Sequence, residues 1–583
     1  MSSEIADELS RQTADLVSRF EGRAASFSKR PDLAGIVVGR DPAAAEKFAT
    51  KYFGKGDHVA TGIDGSMDFD ERLQMILFYA NATAYSCSFS VGDRLEFELE
   101  GAHRDSKLAA SAAVPLWAED LSLVASAEPE IEIELEHSIE RIPNSFMTLG
   151  EHYLANLAVA NSKIVFLDRP MSGTFSTLSR DARNLLRRKT SGLTEWPCPQ
   201  RVSLLDLYLA INMGSPVMAL PARNRYLQLL MIRELLAGPK SLSQLASSLH
   251  ATDAEARKAR KRLVQTDKDY GCTLLSDASE SRMSLAGGVE KYWGRISTLS
   301  VSYAKDVFEL RRHPLSLGND DYLTILDVNA VALFLLDLLC EKALENRVLL
   351  IGIAKDTTAT DVARAVLPYA VSIGSVKLAK SAPRLKNDRA FLSILSSENP
   401  SIATPWRTVS YDSAFSTIVE KDGALISARK VVSREKLFVR SFFQLRSLKT
   451  DPSVRSQVFL FDRTFDPGFD SPAVREVKVS ELRGPSLVNP YFEGGEFSQL
   501  SNLILHVLSL NDNPEVFEAF GHNQLLYLAD KAVKAEVRML RSSLHGVADL
   551  RVGGLSRRRK FFGLVTSYRQ QRSEAEHSRM RHP

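Results

Sequence analysis

The stretch KIVFLD at 163–168 sets the strongest limit on the architecture of this chain. Ile164 to Leu167 leave no polar face, so a strand built from them must be covered on both sides. That is the condition of an inner strand in an α/β sheet. It follows SFMTLGEHYLANLAVANS, where Leu149, Leu154, Leu157 and Val159 supply an apolar helix face and Asn144 is placed to cap the start. Earlier, MILFYANATAYSCSFSV (75–91) is rich in aromatic, Thr and Val positions and reads as one or two strands. EPEIEIELEHSIERI (128–142) alternates acid and apolar residues at period two, which predicts a half-buried strand bent at Pro143. The expected order is strand, strand, strand, helix, strand.

Acids fall at telling points along that order. Asp64 lies in TGIDGSMDFD, at the expected mouth of the first strand; Glu151 lies inside the helix; Asp168 closes the last strand. If the first strand neighbours the fourth, Asp64 and Asp168 lie side by side, and a helix packed across the sheet lowers Glu151 towards both. Three carboxylates brought together repel one another, and a divalent cation is the usual remedy. Taken singly, Asp64-Gly65 is also a good turn, Glu151 a solvated helix residue and Asp168 a strand-end cap.

With 583 residues the chain exceeds the size of one growing core, so several domains, or one large domain with insertions, are expected. Residues 3–28 and 43–53 read as helices. The net charge of +3 does not by itself demand a polyanionic partner. Cys87, Cys198, Cys272 and Cys340 have no zinc-site spacing and read as reduced thiols. The start MSSEIADELSRQ is no signal peptide, and VALFLLDLL (331–339), interrupted by Asp337, falls far short of the ~20 residues of a membrane span. A soluble, cytoplasmic protein with no membrane contact is expected. There is no GxxxxGK[ST] loop, so ATP hydrolysis is not expected of this chain, and no Ser/His/Asp or Cys/His spacing supports a covalent nucleophile.

GIDGS, LGEHYLANLAVA, KIVFLD, LLIGIAKDT and GHNQLLYLADKAV occur in an order that resembles the NurA-type nucleases. The resemblance implies an RNase H-like mixed sheet flanked by helices, and a manganese- or magnesium-dependent deoxyribonuclease. It implies a homodimer that acts on DNA with a HerA-like hexameric ATPase, in DNA repair and end processing or in antiviral defence. By position, Asp64, Glu151, Asp168 and Asp530 match the metal-binding acids and Lys355 the active-site lysine, with His522 a helix-start bystander. Arg169-Pro170 stands where the family has Gly-Ser-Leu; the arginine is in reach of Asp168 or of a DNA phosphate.

The expected organisation is a helical segment (1–55), a first nuclease part (56–190), a winged-helix-like insertion (200–310), the remainder of the nuclease core (320–545) and a basic tail (546–583). In the insertion, SLSQLASSLH and ATDAEARKARKRLVQ read as two helices. Arg257, Lys258, Arg260, Lys261 and Arg262 make the second a candidate phosphate-contacting helix, or a merely solvated one. Arg440 and Arg446 read as channel-lining or solvent-facing strand residues. The tail combines Arg557, Arg558, Arg559 and Lys560 with Phe561, Phe562 and Tyr568, a pattern that suits single-stranded nucleic acid or an acidic surface. The rival readings are a catalytically inactive DNA-binding adaptor using the insertion, and a regulator that binds protein alone.

Overall fold

The computed structural model describes residues 2–556 except 29–30, 73–74, 126–131, 218–222, 310, 319–320, 379–384, 400, 413–414, 416–417, 422–423, 428–437, 447–454, 471–476, 480–485, 489–490, 494–498 and 513–520. The basic cluster and aromatics of the expected tail, 557–583, lie outside the described residues.

A mixed sheet of eleven strands among the described residues organises the chain. One half of it is built from β1 (Gly56–Arg72), β2 (Met75–Val91), the edge strand β3 (His103–Trp117), β4 (Ile164–Leu167) and β5 (Leu349–Ala354). β3 pairs antiparallel with β2 and β2 with β1; β1 runs parallel to β4, and β4 parallel to β5. Beyond β5 the sheet continues through β7 (Phe459–Thr464) and β6 (Phe438–Gln444), both antiparallel.

Strand alternation explains why the sheet is covered on both faces. Ile63, Val165, Leu167 and Leu350 join one apolar cluster, whereas Ala60, Ile164, Phe166, Leu349 and Ile351 join another. The first cluster is roofed by α1 (Glu132–Ala158), α2 (Met171–Arg188) and α6 (Ile325–Glu345); the second by Gln499–Leu510 and the start of α7 (Gln524–Ser556). The VALFLLDLL run is the buried middle of α6, and no helix among the described residues is long and apolar enough to cross a membrane.

Several local readings change. Residues 132–142 are helical, not a strand, and α1 continues through Pro143 to Ala158, so Asn144 is an interior residue and no cap. Ile142, Phe146, Leu149 and Leu154 are buried at helical spacing, and that long apolar face overrides the period-two pattern of the upstream glutamates. The third strand is instead His103–Trp117. Asp64 sits midway along the 17-residue β1, not at its mouth. Arg440 is half-buried and paired with Asp361 at 2.8 Å, so its guanidinium is turned to a carboxylate instead of standing free in solvent.

Residues 223–285 form α3 (Arg223–Leu236), α4 (Leu242–Ser248) and α5 (Asp253–Tyr270), followed by the antiparallel hairpin Leu275–Ala278 and Met283–Leu285. Lys240, between α3 and α4, bridges Met283 of that hairpin. Leu229, Ile232, Leu245 and Leu263 share the first apolar cluster with α6, so this segment extends the main core.

Candidate metal centre

The register of three strands sets the site. Ile63 pairs with Leu167 and Leu167 with Gly352, and the Asp168 amide donates to the Ile63 carbonyl at 3.3 Å. Parallel neighbours thus deliver Asp64, Asp168 and, just beyond β5, Lys355 to the level at which β4 and β5 end, halfway along β1. The two glycines of GIDGS serve opposite faces. A Cβ at Gly62 would lie 2.7 Å from Leu525 Cβ, so its absence lets α7 dock. A Cβ at Gly65 would lie 2.5 Å from Glu151 Oε1, so its absence lets the α1 carboxylate reach across β1.

Asp64 is 5% exposed, and the one hydrogen bond to its carboxylate among the described residues comes from the Gly65 amide, at 2.7 Å. Burial, then the carboxylates of Asp168 and Glu151, push its carboxyl up to about 9; Lys355 opposes this and Asp530 adds to it. Glu151 is pushed up to about 7 by burial, against the neighbouring Arg169. Asp168 behaves oppositely. Burial raises it, but His522 and Lys355 outweigh burial and hold it below the ordinary carboxylate range.

Cations already stand on two of the acids. Lys355 Nζ lies 2.6 Å from Asp168 Oδ2. Arg169 grips Glu151 with Nε at 2.6 Å from Oε2 and Nη2 at 3.1 Å from Oε1, while Nη1 donates to Thr148 Oγ1 at 2.6 Å. The arginine therefore pairs with the helix glutamate, whereas the sequence put Asp168 within its reach. Pro170 forms the start of α2, whose Met171 and Ser172 amides are capped by Asp462 at 3.0 and 2.8 Å.

His522, expected to stand aside, places Nε2 3.6 Å from Asp168 Oδ1. Asp530 is paired within α7 to Lys534 at 2.7 Å, and its influence on Asp64 is the weakest of the three acids. His522 follows Gly521, whose φ of +86° and lack of a side chain let the turn press against Ser456 and Phe459. The Gly-His pair ahead of a helix was the one sequence signal for it. On α5, Arg257 and Arg260 both lie 3.6 Å from Glu280 of the hairpin, while Lys258, Lys261 and Arg262 are exposed. Among the described residues no ion pair joins these five cations to Asp64, Glu151 or Asp168.

Among the described residues no group of three or more His, Cys, Asp or Glu stands in a metal-holding arrangement. The chemistry of the donor set still fits a divalent cation. Asp64 is buried, has three acids in its field and no cation paired to it among the described residues.

No family model matches the sequence and no curated protein matches it. Among solved structures the chain is similar to the NurA nuclease from Sulfolobus solfataricus, at 10% identity and a TM-score of 0.38, over 93% of this chain and 97% of that one. It is similar to a NurA bound to dAMP and manganese at 12% identity and a TM-score of 0.33, over 90% and 92%. A NurA with manganese follows at 13% identity and a TM-score of 0.28, over 84% and 89%. Likenesses this slight carry no argument about the fold or activity of this chain.

Proposed function

We propose that this chain is a metal-dependent DNA nuclease with an RNase H-like core. The observation that carries the reading is the buried Asp64, with no ion pair of its own among the described residues, in the field of Asp168 and Glu151 at the level where β4 ends. Asp64, Asp168 and Glu151 are the residues that would hold Mn²⁺ or Mg²⁺, with Asp530 or His522 at the margin. A bound divalent ion activates water near neutral pH and neutralises charge on a phosphodiester. The chain's own groups do the rest. The Gly65 amide fixes one oxygen of Asp64, and Arg169 orients Glu151 through its two contacts. Lys355, about a third exposed, is placed to turn from Asp168 to a scissile phosphate and stabilise its developing charge. The order of the five motifs supports DNA as substrate, with the exposed cations of a winged-helix-like α5 as a further contact.

The same reading includes a cytoplasmic homodimer fed by a HerA-like hexameric ATPase, in end processing or defence against foreign DNA. The test is cleavage of linear DNA by the purified chain with Mn²⁺, alone and with such an ATPase. Cleavage by wild type and none by Asp64→Ala is expected. No cleavage under either condition, or full cleavage by the variant, ends the proposal.

One feature favours a second reading, a DNA-binding adaptor without catalysis: Lys355 and Arg169 already neutralise Asp168 and Glu151. An adaptor predicts no Mn²⁺-dependent rise in melting temperature, whereas ligand linkage predicts one for a working site.

A further inference from the structure

A cleft of about 520 Å³ opens between α1 and α2, next to the carboxylates but separate from them. Its lining carries the guanidinium groups of Arg141, Arg169 and Arg180 against one carboxylate, Asp181. Arg141 and Arg180 hold Asp181 only loosely, at 3.4 and 3.7 Å, and their side chains are 47% and 67% exposed. Both are thus free to turn onto an incoming anion. The first amides of α2 offer nothing more, because Asp462 already occupies them.

Asn329 of α6 supplies the second observation. It is 5% exposed and lines the same cleft. Its Nδ2 donates to Asp181 at 2.8 Å, while its Oδ1 has no hydrogen-bond partner among the described residues. A buried acceptor without a donor costs free energy unless a ligand or water serves it. The lining therefore suits a ligand that carries an anion for the arginines, as a nucleotide does.

We propose that this cleft receives the phosphate-bearing terminal nucleotide of a DNA strand. The proposal rests on the nuclease reading and deepens it. A terminal phosphate monoester carries more charge than a diester within the chain, so paired guanidiniums favour an end over a passing strand. Arg169 forms the inner wall and also grips Glu151, so the end nucleotide lies one side chain away from the candidate metal centre. Arg141 and Arg180 are binding residues here.

The test measures binding of the full chain to short fluorescent single strands in EDTA, where no cleavage occurs. The strands end in a 5′-phosphate, a 3′-phosphate or hydroxyls only. Wild type is expected to prefer one phosphorylated end by about tenfold, the scale of a charge-assisted contact. Arg141→Gln with Arg180→Gln is expected to erase that preference. Thymidine 5′-monophosphate should displace the strand where thymidine does not, which separates a phosphate site from a nucleoside site. Arg180→Glu, at an exposed position, serves as a second variant whose melting curve checks folding. Equal binding of all strands by wild type overturns the proposal, as does a preference that survives in both variants. Because no metal is present, an end preference without Mn²⁺-dependent cleavage removes the nuclease reading alone, and cleavage without an end preference removes the cleft alone.

Discussion

Glu151 occupies the space that a side chain at residue 65 would need: a Cβ there would lie 2.5 Å from Glu151 Oε1 and 2.6 Å from Met147 Cγ. Gly65→Ala must therefore push the carboxylate off β1 or shift α1. Overpacking of this kind costs about 1–3 kcal/mol. Denaturant unfolding is expected to show that loss, and Mn²⁺-dependent DNA cleavage to fall far more steeply than stability.

The Asp64 carboxyl gives a pH-dependent prediction. Its folded pKa of about 9 lies above the ordinary carboxylate value, so the metal-free fold is favoured by the neutral form. Its contribution to stability is complete below about pH 4 and is lost as pH rises towards 9. Asp64→Asn keeps the neutral shape at every pH. The metal-free variant is expected to melt higher than wild type at pH 8 and at the same temperature at pH 4. It should also lose the stabilisation by Mn²⁺ that wild type gains.

Lys355 is the nearest cation to Asp168. Lys355→Met keeps much of the stem and removes the charge. Cleavage is expected to drop about 100-fold, as when one electrostatic contact to a transition state is removed. Single-turnover kinetics with DNA at saturation measures this; a rate within twofold of wild type (about 0.4 kcal/mol) shows that the lysine has no part in the chemistry.

Lys258, Lys261 and Arg262 face solvent on α5, whereas Arg257 and Arg260 are engaged with Glu280. Replacing the three exposed cations with Gln is expected to flatten the dependence of log K on log salt by about 3 for duplex DNA, near one per lost phosphate contact. Replacing Arg257 alone is expected to change the slope far less. An unchanged slope for the triple variant removes α5 from the DNA path.

These relationships were unevenly written in the sequence. KIVFLD announced a strand covered on both faces because every residue from Ile164 to Leu167 had to be buried, and each is. Residues 132–142 misled because period-two glutamates are compatible with a strand, while the apolar face from Ile142 to Leu154 that binds α1 to the sheet lay mostly downstream. Asp64 was marked by its glycines, but their reasons were tertiary: one faces Leu525 and the other Glu151. The partners of the charges were not legible. Arg169 follows Asp168 in the chain, yet successive residues diverge there, and its guanidinium lands on a glutamate from α1. His522 carried only a local Gly-His signal, since its approach to Asp168 depends on how α7 docks.

The docking of α7 also dictates when the central hairpin is covered. Asn81 of β2 donates to Glu536 of α7 across 455 positions of chain, and Leu525 closes over Gly62. A growing polypeptide thus lays down that hairpin early and leaves one side of it uncovered until α7 has been made. Contacts of such long range are slow to form and leave strands open to wrong partners meanwhile. His522 arrives just ahead of α7, so a product terminated before it would keep that face of the hairpin bare and lack the histidine beside Asp168.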